Sequence, residues 1–156
     1  MAELTARIRS DLTAAMRAKD TLVMSTLRMA LSAVRTAEVA GTTARELADD
    51  EVLKVLAKEA KKRGESAEAF AAAGRAELAA KERAEAEILG RYLPVQLTDD
   101  EVTALAEAAV AQVAAETGEQ PGLRQLGQVM RVAAALAAGR ADGSRVAAAV
   151  RARLRG

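Results

Sequence analysis

Tyr92-Leu93-Pro94-Val95-Gln96-Leu97, followed at once by Thr98-Asp99-Asp100-Glu101, is the stretch on which the reading of this chain turns. Proline disfavours helix at the residue before it, so a helix running from Ala76 ends at about Tyr92. Thr98 is a good N-cap, and Glu101 three residues later completes a capping box that opens the next helix. The segment is a linker, and helical patterns lie on both sides of it.

Upstream, Leu4, Ile8, Leu12 and Met16 recur at i, i+4, which predicts a helix over 3–19. Asp20 is placed to cap a second helix through Leu27, Leu31 and Val34, stopping near Gly41. A polar loop, Thr42 to Leu47, precedes a third helix that Asp49, Asp50 and Glu51 open with negative charge at its positive end. Gly64 leaves two readings: a helix passing through it at about 1 kcal/mol relative to alanine, or a break with Ser66 capping a new helix. Ala73-Gly74-Arg75 is a tight turn into the fourth helix. There, Glu77/Lys81 and Arg83/Glu87 are spaced as solvated i, i+4 pairs. Downstream, a fifth helix ends at Gly118, and two more cover about 123–138 and 144–155. No strand pattern and no sustained heptad register is present. The expected fold is all-α: a four-helix N-terminal subdomain, residues 1–93, and a three-helix C-terminal subdomain, residues 94–156.

Composition narrows the chemistry. The 156 residues include no Cys, His or Trp, one Phe and one Tyr. No disulfide or thiolate nucleophile is possible, and the commonest general base and metal ligand near neutral pH is missing. No nucleotide-binding glycine loop occurs. Asp99, Asp100 and Glu101 are accounted for by capping and dipole complementarity, so no catalytic residue, metal site or cofactor is assigned. No apolar run approaches the roughly 18 residues of a membrane span, and the N-terminus lacks a signal-peptide core. A cytoplasmic protein without membrane association is expected.

Charge is strongly polarised. Pro121 to Gly156 holds seven arginines and one acid, a net of +6, whereas Thr98 to Gln120 holds six acids and no base. Arginines flank two glycine turns, Gly127-Gln128-Val129-Met130-Arg131 and Gly139-Arg140-Ala141-Asp142-Gly143. Backbone amides and guanidinium groups near helix ends suit phosphate contact. The plain alternative is internal charge balance against the acidic fifth helix. A second basic group, Lys58, Lys61, Lys62 and Arg63 with Arg75 nearby, reads either as a solvated face or as a surface for an acidic partner or a nucleic-acid backbone. Without interleaved aromatic residues, shape and phosphate contacts on folded RNA are favoured over base reading.

The order of Lys62-Arg63, Glu65-Ser66, Phe70, Ala73-Gly74-Arg75, Glu77-Leu78, Glu87-Ile88-Leu89, Tyr92-Leu93-Pro94 with Gln96-Leu97, Gly127-Gln128-Val129-Met130 and Gly139-Arg140-Ala141-Asp142-Gly143 resembles the YqeY-like (GatB/YqeY) family over almost the whole chain. The C-terminal part is also similar to the tail domain of the B subunit of tRNA-dependent glutamine amidotransferase, a carbon–nitrogen ligase with glutamine as amido donor. The resemblance implies a tRNA-contacting or adaptor module, with amide-transfer chemistry elsewhere in that complex. It carries tRNA contact onto Gln128, Arg131 and Arg140, and Gly127, Gly143 and Arg145 complete the candidate RNA surface. This chain departs from the pattern at Leu136, Ala137 and Ala138, where stand-alone members often place lysines. That departure implies fewer phosphate contacts and a shallower salt dependence.

Three functions compete. The first is tRNA binding, linked to an amidotransferase-like or translation complex. The second is a helical protein–protein interaction module with no nucleic-acid contact. An autonomous enzyme is the third, and the missing nucleophile and ATP site leave it without nameable machinery.

Overall fold

Capping chemistry places most helix boundaries. The computed structural model describes residues 1–156 and is all-helical: α1 Glu3–Ala18, α2 Thr21–Glu38, α3 Asp49–Ala72, α4 Ala76–Gly90, α5 Asp99–Thr117, a 3-10 turn Leu123–Gln125, α6 Leu126–Ala137 and α7 Gly143–Arg155. The chain divides into two compact units, Met1–Leu93 and Pro94–Gly156. Asp20 caps α2 by accepting from the Val23 amide at 3.2 Å. Thr98 Oγ1 accepts from the Glu101 amide at 3.2 Å and donates to the Glu101 carboxylate at 3.1 Å. Gly118, at φ 76°, ends α5 in the left-handed conformation that glycine adopts without a Cβ clash.

Two local expectations are corrected. α2 ends at Glu38 rather than at Gly41, because the loop folds back and the Arg45 amide donates to the Glu38 carbonyl at 3.0 Å. α4 ends at Gly90 rather than Tyr92. Ahead of Pro94 the chain tightens, and Arg91, Tyr92 and Leu93 donate to carbonyls three residues back. Glu77, Lys81, Arg83 and Glu87 lie on a solvated face of α4, as their spacing suggests, and Arg83 reaches Glu68 on α3 at 3.5 Å. At Gly64 the continuous reading holds, since α3 passes straight through.

The first unit packs the α3–α4 hairpin against α2, with α1 laid on α2 and α3. Ile8, Leu27, Val34, Val52, Leu56, Ile88 and Leu89 form its core. Tyr92 closes that core: its hydroxyl donates to Asp11 at 2.5 Å, and Arg7 stands 4.8 Å above its ring. Burial, reinforced by the bond to Asp11, holds the phenol protonated well above its ordinary range. The linker motif's tyrosine is therefore an anchor of the first unit.

In the second unit α5, α6 and α7 pack pairwise around Ala106, Ala109, Val110, Val113, Val129, Ala133, Ala137, Val146 and Val150. Every fully enclosed residue of this core is alanine or valine. Small side chains bring the backbones close and leave the long polar residues on the outside.

Candidate nucleic-acid interface

The C-terminal arginines separate into two groups by what they touch. Arg140 and Arg145 are engaged by the segment that leads into α5. Arg140 donates through Nε to the Val95 carbonyl at 2.8 Å. Arg145 donates through Nη2 to the Leu97 carbonyl at 2.9 Å and pairs with Asp99 at 2.8 Å. The Leu97 amide completes the clamp by donating to the Arg140 carbonyl at 2.7 Å. These two side chains tie residues 95–99 to the turn between α6 and α7, a task the sequence reading did not give them.

Arg124, Arg131, Arg151, Arg153 and Arg155 are exposed and make no ion pair or hydrogen bond within the chain. α5 packs against both α6 and α7, yet among its acids only Asp99 takes an arginine, Arg145. Of the seven arginines, Arg145 is the one in ion-pair contact with an acid of α5. Arg124 enters by position: the 3-10 turn runs directly into α6, so Arg124, Gly127, Gln128 and Arg131 follow at helical spacing, all exposed. The sequence reading counted Arg124 as charge without placing it beside Gln128. Its spacing to Arg131 was the available signal.

The glycines of the two turns differ in role. Gly139, at φ 77°, makes the left-handed bend after Ala138, itself at φ 50°. Gly127 and Gly143 lie instead in the first turns of α6 and α7, without positive φ, and a Cβ added at either meets nothing within 4 Å. Neither backbone conformation nor packing inside the chain requires glycine there. The absent side chains leave the backbone open to close approach from outside.

Beside this face a groove of about 530 Å³ runs between α5 and α6, lined by Gln112, Glu116, Gln128, Arg131, Val132, Ala135 and Leu136. In the first unit, the expected basic group loses one member. Lys58, Lys62 and Arg75 are exposed. Arg63 turns inward and is 4% exposed, held by Glu59 at 2.7 Å and by Glu85 at 3.2 Å. A buried guanidinium needs such partners, and α4 supplies one that lies far away in the sequence. No cluster of three or more acidic, His or Cys side chains is placed to hold a metal ion, and no helix is long and apolar enough to cross a membrane.

The family model described as "Yqey-like protein" matches residues 5–154. A relative named "Altered inheritance of mitochondria protein 41, mitochondrial", from Meyerozyma guilliermondii, is 33% identical over 128 residues, covering 80% of this chain and 66% of that protein. The chain belongs to the Yqey-like protein family.

Proposed function

We propose that this chain is a tRNA-binding adaptor that grips folded RNA through the outer side of α6 and the arginines of α7. The observation that supports this most is the set of five exposed, unpaired arginines in a unit whose own acids leave them free. Arg124 would neutralise a phosphate at the start of α6, Arg131 would contact the RNA further along the same face, and Arg151 and Arg155 would extend the track along α7. Gly127 lets the RNA backbone approach the helix closely. Arg140 and Arg145 hold the frame, and their own phosphate contacts are secondary.

The chain works, on this reading, beside an amidotransferase-like or translation complex in the cytoplasm, delivering or holding tRNA. The name of the relative assigns that protein to mitochondria, and compartment is part of this proposal. Carbon–nitrogen ligase chemistry enters as a property of such a partner.

Binding of bulk tRNA at about 50 and 200 mM salt tests the reading, because log K falls by roughly 0.7 to 0.9 per tenfold rise in salt for each phosphate neutralised. An Arg124→Glu/Arg131→Glu variant, with the clamp arginines kept and helicity checked by circular dichroism, should lose most binding. Absence of tRNA binding by the wild type at the lower salt would overturn the proposal and favour a protein partner.

A further inference from the structure

The α5–α6 groove does not have the chemistry of a phosphate track. Its apolar wall is Val132, Ala135 and Leu136, and its polar rim includes the Glu116 carboxylate, which repels phosphate. Arg131 and Glu116 share the groove without forming an ion pair, so both keep their hydrogen-bonding capacity for a ligand. Gln112 Nε2 donates to Glu116 Oε1 at 3.2 Å, which orients the carboxylate and uses one of its roughly four acceptor positions. The Gln112 carbonyl oxygen and Glu116 Oε2 take no hydrogen bond within the chain and remain as acceptors in a groove that also holds the Arg131 and Gln128 donors.

We infer that this groove is a pocket for an unpaired guanine base, in which Glu116 accepts from the base and Arg131 donates to it. The inference rests on the RNA reading above and adds a base-specific contact to it. Among the four bases only guanine presents two adjacent donors, N1–H and the N2 amino group, that match the two oxygens of a carboxylate. Adenine and cytosine place a lone-pair nitrogen next to their amino group, and uracil flanks its single N–H with carbonyls. Guanine also carries the O6 and N7 acceptors that a guanidinium pairs with in nucleic-acid recognition. The apolar wall receives the face of the base, and Arg124 on the same side of α6 takes its phosphate.

The same chemistry would recognise a free guanine nucleotide, and the test separates the two sources. Two short unstructured RNAs differing only in a central guanosine or adenosine, bulk tRNA, and GMP against AMP are titrated into wild type and Glu116→Gln. Side-chain amide NMR of Gln112 and Gln128 reports occupancy. The inference expects about a tenfold preference for the guanosine RNA in the wild type. Glu116→Gln should abolish that preference, because an amide no longer offers two adjacent acceptors to N1–H and the N2 amino group. Binding of tRNA without a guanosine preference, or with the preference intact in Glu116→Gln, overturns the groove and leaves the RNA reading standing. GMP binding with no RNA binding supports the groove as a nucleotide site and overturns the RNA reading. No response to any probe overturns both.

Discussion

Arg63 on α3 donates through Nε to a Glu85 carboxylate oxygen on α4 at 3.2 Å, and the two residues are 4% and 7% exposed. Glu59, one turn earlier on α3, takes another nitrogen of the same guanidinium at 2.7 Å. A buried pair of this kind contributes little against an apolar substitute, but removing one partner strands the other. Glu85→Ala should cost about 3 kcal/mol in urea unfolding, while Arg63→Met/Glu85→Leu should cost far less. Equal losses in the single and double variants would show that the charges do not depend on each other.

Ala138 occupies the left-handed region at φ 50°, with Gly139 at φ 77° behind it. A Cβ in that conformation costs about 1 kcal/mol, which glycine avoids. Ala138→Gly should therefore raise the unfolding free energy by about 1 kcal/mol, and Gly139→Ala should lower it by at least as much. Thermal unfolding followed by circular dichroism decides both.

At Gly127 stability and binding should move in opposite directions. The residue is helical and exposed, with open space where a Cβ would go, so Gly127→Ala should stabilise the chain by up to about 1 kcal/mol. The same methyl group stands where RNA backbone would approach, and tRNA affinity should fall. An unchanged affinity would remove Gly127 from the interface.

Glu51 accepts both terminal nitrogens of Arg45 and the Ala48 amide. Arg45, and then the Ala48 bond, lower its carboxyl from 4.5 to about 2. Because the folded value is depressed, this contribution to stability is present above about pH 4.5 and is lost as pH falls toward 2. NMR titration should show Glu51 returning toward the ordinary carboxylate range in Arg45→Ala, with the acid limb of unfolding reaching higher pH.

The clamp predicts a different phenotype from the exposed arginines. Arg145→Ala removes bonds to Leu97 and Asp99 and should cost about 1 kcal/mol of stability, with little change in the salt slope of tRNA binding. Arg124→Ala should leave stability nearly unchanged and reduce that slope by roughly 0.7 to 0.9.

The helices and most of their ends were legible in the residue order. Asp20, Thr98, Gly74 and Gly118 act on amides and dihedrals within a few residues, and such signals operate before any tertiary contact forms. The candidate site was legible only as composition. An arginine-rich tail beside an acidic helix is visible in the sequence, but which arginines are engaged is not. Arg63 meets Glu85 22 residues away, Arg140 meets Val95 45 away, and Tyr92 meets Asp11 81 away. Each pairing depends on where helix packing delivers the ends of long side chains. Local order chose the helices, whereas packing at a distance turned Arg63 inward, spent Arg140 and Arg145 on backbone carbonyls, and left Arg124 and Arg131 facing out.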